Sequence, residues 1–337
     1  WSGRIVGSDN GDSASIIAQQ ATANDQPVGD GYVVTFADNT DHLEIPQVTQ
    51  AGWQVVGTSL GTFAYRVNAN AVTELNLLGN LGHASYRQTG DLYGIILLPE
   101  SATGADIEAA RELLIDRGAA DSSNSTSYFA AWLNRYDIVE FTGVDMSGVV
   151  NAQNAWDGCT NMVKFGVTDL SNSNNLSYAW YNTSSLTEFP SGANLGTSAS
   201  NVAFRFSWQL SGLTSFPALD LSKGNDFTSA WQSCSALTSF PAGAKLGTSA
   251  SSVNFSNAWR DSGLTSFPAL DLSNATNLYQ AWRGCNNMLS FGLVNTSSVT
   301  NFSDAWLGCT SLASFPSVDT SSGTNFYRTW YDMDSVT

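Results

Sequence analysis

The sequence predicts a tandem-repeat solenoid built on a parallel β-sheet, preceded by a small α+β domain. Three observations carry this. Nine tryptophans recur at Trp132, Trp156, Trp180, Trp208, Trp231, Trp259, Trp282, Trp306 and Trp330, in steps of 24, 24, 28, 23, 28, 23, 24 and 24 residues. A phenylalanine follows each of the first eight after eight or nine residues, at Phe141, Phe165, Phe189, Phe216, Phe240, Phe267, Phe291 and Phe315. Phe189, Phe240 and Phe291 are spaced by 51 residues, and the 28-residue units share an insert at 192–198 and 243–249.

A period of 23 to 28 residues suits coils that each carry one short strand and a return segment. In the unit from Val299 to Pro316, Phe302, Ala305 and Trp306 stand at i, i+3 and i+4, which predicts a short helix on the return side, ended by Gly308. Leu312 to Phe315 reads as the strand, with Pro316 terminating its hydrogen bonding. Another apolar residue precedes most tryptophans by four, as at Phe204, Phe227, Phe255, Leu278, Phe302 and Phe326. One coil cannot bury its apolar face alone, so stacked coils are expected to place Trp on Trp and Phe on Phe. Residues 121–337 form this array of about nine coils, which stops inside a repeat and is expected to be truncated at its C-terminal end.

Two regions precede it. Residues 1–28 are small and polar and read as an extended arm or linker. Residues 29–120 read as the α+β domain. Tyr32 to Phe36 and Asp41 to Ile45 suggest a hairpin, and Trp53 to Val56, Phe63 to Val67 and Leu92 to Leu98 further strands. One helix is well signalled from Ala105 to Arg117: Thr103 caps it with Asp106, Ile107, Ala110 and Leu114 share a face, and Gly118 closes it.

Composition narrows the function. Only 12% of residues are charged, and the net charge is −16, so the chain repels phosphate backbones and nucleic acid is an unsuitable partner. No run of 18 apolar residues exists to span a membrane. A low-charge surface rich in Ser, Thr, Asn and Gly points to work outside a cell or on a virus particle. The chain opens on Trp1 without an initiator Met, and both ends are expected to be cut from something longer.

The block from Ser298 to Leu312, Ser-Val-Thr-Asn-Phe-Ser-Asp-Ala-Trp-Leu-Gly-Cys-Thr-Ser-Leu, resembles the leucine-rich repeats of bacterial surface-antigen (BspA-like) proteins, with Ala305-Trp306 where Met-Phe is usual. The resemblance covers roughly residues 125–337. It implies an α/β leucine-rich-repeat solenoid acting at cell surfaces, in adhesion and binding of host or matrix components. The Ala-Trp and Ser-Phe-Pro repeats are also similar to those of fibre or structural proteins of marine bacteriophages, a setting that the front domain fits.

Candidate sites are ladders rather than clusters. Cys159, Cys234, Cys285 and Cys309 each follow a tryptophan by three residues, a slot held elsewhere by Arg135, Thr183, Ser211, Ser262 and Met333. A buried thiol ladder is the favoured reading, with a disulfide open only to Cys285 and Cys309 on adjacent rungs. Asp145, Asp169, Asp220, Asp271 and Asp319, with Asn295 in the same place, read as turns in which the side chain caps the backbone two residues on. Calcium between rungs is the sharper alternative, opposed by the 28-residue coils, where Ala193 and Ala244 are expected in that slot. No other cofactor is implied.

The row beside the phenylalanines runs Glu140, Lys164, Glu188, Ser215, Ser239, Ser266, Ser290 and Ser314, preceded by Thr187, Thr214, Thr238 and Thr265. Facing solvent, it forms a flat hydroxyl ladder suited to glycan or protein contact; the plainer reading is solvated sheet surface. Catalysis has little support, since the only histidines, His42 and His83, lack a nucleophile context. The expected function is a non-enzymatic surface or virion appendage, extracellular, whose solenoid binds a cell-surface receptor or glycan. The alternative is a structural fibre or decoration protein assembling with copies of itself or with virion proteins, and a depolymerase-type enzyme comes third.

Overall fold

The computed structural model describes residues 2–8, 13–19, 34–36, 43–44, 52–58, 61–67, 90–99, 101–116, 126–142, 146–166, 168–333 and 335. Strands β1 (Ser2–Ser8) and β2 (Ser13–Gln19) pair antiparallel, with Ser2 opposite Gln19. The described residues of the expected arm are therefore two paired strands. Among the described residues of the hairpin expected between Tyr32 and Ile45, the two strands pair elsewhere. Strand β3 (Val34–Phe36) pairs with β7 (Gly90–Pro99), and β4 (Leu43–Glu44) pairs with β1.

Strands β5 (Gly52–Thr58) and β6 (Gly61–Val67), both expected as strands, pair antiparallel at the centre of a six-stranded sheet ordered β3-β7-β5-β6-β8-β9. Its last two members, β8 (Ile138–Phe141) and β9 (Lys164–Phe165), belong to the first two coils of the repeat array. The β6–β8 pairing is antiparallel and β8–β9 is parallel, so the front sheet runs directly into the solenoid.

Helix α1 (Gly104–Asp116) begins at the predicted capping box. The Asp106 amide donates to Thr103 Oγ1 (3.3 Å), and the Thr103 amide donates to Asp106 Oδ2 (2.8 Å). Ile107, Ala110 and Leu114 are buried against Val55 and Ala64 of the sheet. The expected closing residues Arg117 and Gly118 lie outside the described residues. Successive strand residues face opposite sides, and Val56 accordingly belongs to the other core, the one that includes Tyr128, Trp132, Ile138 and Phe141 of the first coil. The front domain thus covers one end of the array.

From Trp132 onward the fold is a parallel β-solenoid with little helix. One ladder of parallel bridges runs through the residue five before each tryptophan, from Ser127 and Asn151 to Asn301 and Asn325. A second runs beside the Phe column, at Glu140–Lys164 and Ser215–Ser239–Ser266–Ser290. A third joins Asp169-Leu170 to Asn194-Leu195, and Asp220-Leu221 to Lys245-Leu246. At Leu312–Phe315, where a strand was expected, the backbone is irregular.

The predicted return helix is absent among the described residues of the array, and overlapping turns replace it. Around Trp156, the amides of Ala155, Asp157 and Cys159 donate within the chain to residues three back, at 3.1, 3.3 and 3.2 Å. The intervening amides of Ala152, Asn154, Trp156 and Gly158 donate to the next coil, at Asn175, Ser177, Ala179 and Tyr181. A helix would send every amide four residues back along its own chain. Here φ turns positive two residues before and two after the tryptophan, at Asn154 (57°) and Gly158 (73°), as the third residue of a type II turn requires. Gly308 (78°) therefore holds a left-handed turn position and closes no helix.

The side chains stack as expected. Neighbouring indoles from Trp132 to Trp306 lie 5.2–5.5 Å apart and within 9° of parallel. The Phe column stacks at 5.3–5.9 Å and meets the indoles edge to face. Seven buried indole N–H groups, of Trp156 through Trp306, find no hydrogen-bond acceptor, each costing about 1–3 kcal/mol. Burying an indole removes roughly 150–250 Å² from water, worth about 4–6 kcal/mol, so packing wins. At the last described rung Phe326, Trp330 and Tyr331 are exposed.

Candidate functional site

The hydroxyl ladder forms at the surface. Between a buried leucine or methionine and the inward-facing Phe of each coil, the two intervening residues face out: Thr187, Glu188, Thr214, Ser215, Thr238, Ser239, Thr265, Ser290 and Ser314 are exposed, with Ser266 half-buried. The threonine hydroxyls are already engaged. Thr214 Oγ1 donates to the Thr187 carbonyl (3.2 Å), Thr238 Oγ1 to Thr214 (3.5 Å) and Thr265 Oγ1 to Thr238 (3.0 Å). Each keeps acceptor capacity toward solvent. The Ser215, Ser239, Ser266 and Ser290 hydroxyls have no protein partner among the described residues and stand at the strand spacing of about 4.8 Å, a row of donors and acceptors in parallel register. At the row's N-terminal end it turns ionic, where Glu140 lies between Arg66 (3.4 Å) and Lys164.

The acidic column is structural. The amides of Ser171, Ser222, Ser273, Ser297 and Ser321 donate to Oδ1 of Asp169, Asp220, Asp271, Asn295 and Asp319 at 2.9–3.2 Å, the two-residue cap read from the sequence. Asp145 lies outside the described residues. In the 28-residue coils the pairing puts Asn194 and Lys245, one residue beyond Ala193 and Ala244, opposite Asp169 and Asp220. Lys245 Nζ binds Asp220 Oδ2 at 3.0 Å, placing a cation where calcium would need a carboxylate. Among the described residues no group of three His, Cys, Asp or Glu converges on a metal position.

All four cysteines are free and buried. Cys159, Cys234, Cys285 and Cys309 donate Sγ–H to the carbonyls of Trp132, Trp208, Trp259 and Trp282 at 3.0–3.2 Å. Burial pushes the thiols of Cys234 and Cys285 up to about 11 and about 12, and those of Cys159 and Cys309 higher still. Thiols held protonated are poor nucleophiles and poor metal ligands.

One cluster has no counterpart in the columns read from the sequence. Tyr178 and Phe206 stack at 4.5 Å and 15°, and Tyr181 tilts against Tyr178 at 5.6 Å. All three are half-buried on the turn corner. Beside them Asn154 Nδ2 donates to Asp157 Oδ2 at 2.8 Å, and burial pushes the Asp157 carboxyl up to about 6 against that bond. The available signal was positional: this slot, two before Trp, holds Asn, Ser, Gln or Asp in most other coils.

No family model, curated protein or solved structure matches this chain. What the site can do therefore rests on its own chemistry. The exposed groups offer hydrogen-bonding hydroxyls and aromatic rings. No helix among the described residues is long and apolar enough to cross a membrane.

Proposed function

We propose that this chain is a non-enzymatic recognition protein of a cell or virion surface, whose solenoid adheres to a receptor or glycan. The observation that carries this reading is the continuous, exposed and largely unpartnered serine row from Ser215 to Ser290, backed by threonines already locked to the backbone. A rigid array of hydroxyls at strand spacing suits hydrogen bonding to a repeating polar partner, because the side chains are held in place before contact. The extracellular setting draws on the low charge density of the sequence.

The test uses the full chain, since β6 pairs with β8 of the first coil and Val56 shares its core. Binding to a glycan array and to intact cells is measured for the parent and for a Ser215→Lys/Ser239→Lys/Ser266→Lys variant. Loss of binding at an unchanged unfolding temperature supports the reading; undiminished binding, or no binding by the parent, overturns it. The second reading, a fibre protein assembling with copies of itself, draws on Leu289 and Leu293, which are 62% and 61% exposed. Leu293 lines a shallow groove with Ala269, Leu270, Val294 and Val318. A concentration-dependent sedimentation coefficient, abolished by Leu289→Asn/Leu293→Asn, would favour it.

A further inference from the structure

We propose that the aromatic cluster on the turn corner, centred on Tyr178, Phe206 and Tyr181, binds the ring of a neutral sugar. This deepens the recognition reading and takes its ligand class from it, but it rests on different residues from the hydroxyl row.

The fold does not ask for aromatics here. Tyr178 and Phe206 both occupy the left-handed slot two before Trp, with φ of 58° and 57°. Bulky side chains are disfavoured there, and Asn is among the few residues that tolerate it. Asn154 and Asn257 fill the same slot in other coils at the same φ, and the remaining coils use Ala, Ser, Gln, Asp or Arg. The two aromatic exceptions fall on adjacent coils and stack on each other. A third bulky left-handed residue, Leu210 (φ 60°), stands in the second of those coils and is 39% exposed. Bulky residues in left-handed slots are thus gathered on two adjacent coils, which sets this corner apart from the rest of the array.

The surroundings fit a sugar. The other aromatics of the inner array stand mainly in buried columns, whereas these three form a half-buried platform. Apolar C–H faces of a pyranose pack on such rings, and its hydroxyls need polar groups at the rim. The rim is present: Asn154 and Asp157 on one side, Gln209 on the other, and the phenol of Tyr181. Arg205, over Phe206 at 6.0 Å, is paired with Asp226. With its positive charge answered and a net charge of −16 on the chain, the patch repels sulfated or sialylated sugars and favours neutral hexose or N-acetylhexosamine rings.

The experiment titrates full-length protein with cellohexaose, chitohexaose, maltohexaose and a heparin hexasaccharide, reading saturation transfer from aromatic protons to sugar C–H protons. At least one neutral oligosaccharide should bind with transfer to its ring protons, and the heparin fragment should not. Tyr178→Asn/Phe206→Asn should weaken binding at least tenfold while leaving the unfolding temperature unchanged or higher. The serine-row variant should retain this binding. A double variant that binds as the parent does overturns the site, as does preference for the heparin fragment. Loss of oligosaccharide binding in the serine-row variant alone also overturns it and leaves the recognition reading standing. Absence of any oligosaccharide binding, with cell adhesion intact and blocked by the double variant, assigns the cluster to a protein partner and overturns the sugar.

Discussion

Val55 and Val56 are adjacent in β5 and belong to different cores. Val55 packs under helix α1 with Ala64 and Leu114, and Val56 belongs to the core that runs into the array and includes Tyr128 and Trp132. Truncation should therefore loosen two different regions. Val55→Ala is expected to reduce amide-exchange protection in α1, and Val56→Ala in residues 126–142, each at about 1.5–3 kcal/mol. Equal loss in both regions for either variant would show that the sheet does not separate the two cores.

The tryptophan column sets burial against unpaired N–H groups. Trp231→Ala is expected to cost about 3–5 kcal/mol by opening a cavity between Trp208 and Trp259. Trp231→Phe keeps a stacked ring and removes an unpaired donor, so its cost should stay below about 1.5 kcal/mol. Chemical denaturation of the two variants decides it; a Phe variant as damaged as the Ala variant would mean that the indole N–H has a partner after all.

Gly158 and Gly308 share a slot and nearly a φ, yet they differ in what a methyl group would meet. At Gly158 a Cβ falls 2.1 Å from Asn134 Oδ1 and 3.3 Å from its Cα, whereas at Gly308 the nearest atom is 3.7 Å away. Gly308→Ala should cost only the left-handed conformation, about 1–2 kcal/mol, and Gly158→Ala more, because Asn134 must also move. Melting temperatures of the pair test the ranking.

Asp157 makes stability fall as pH rises. Burial raises its carboxyl from 3.8 to about 6, so the folded state holds a proton that the unfolded chain releases earlier. Its contribution is most favourable below pH 3.8, declines between about pH 4 and 6, and is flat above. Asp220, held low by Ser222 and Lys245 against its burial, works oppositely: its stabilisation is present above its unfolded value and lost in acid. Asp157→Asn should therefore gain up to about 2 kcal/mol over the parent at pH 7 and nothing at pH 3.5. Urea midpoints at those two pH values measure the difference, and a constant gap would place the carboxyl in water.

The columns were legible because the repeat itself reports them: equivalent positions hold Trp, Phe, Cys or Asp, and stacking follows from period alone. The return segment was not. Apolar residues at i, i+3 and i+4, such as Phe302, Ala305 and Trp306, suit a helix and the turn ribbon equally, since both bring those three to one side. The discriminating signal lay between them, in Asn134, Asn154, Asn182, Asp261 and Asp304 beside Gly158, Gly284 and Gly308, residues that accept positive φ. Partner choice at the front was illegible for another reason: β3 joins β7, and β6 joins β8, across long stretches of chain with no local turn to announce them. The serine row was legible as a repeated position beside the Phe column, but the Tyr178 cluster breaks the repeat and so escaped a reading built on it.

The alternation of amides in the tryptophan corner has a mechanical consequence. Every second N–H lies along the axis, so each junction between coils carries several such bonds side by side, while successive junctions are linked end to end. Tension applied along the rod is shared within a junction but is felt equally by all of them. The rod should yield one coil at a time, each 24-residue unit paying out about 80 Å of chain. Such an element stretches in steps and holds between them.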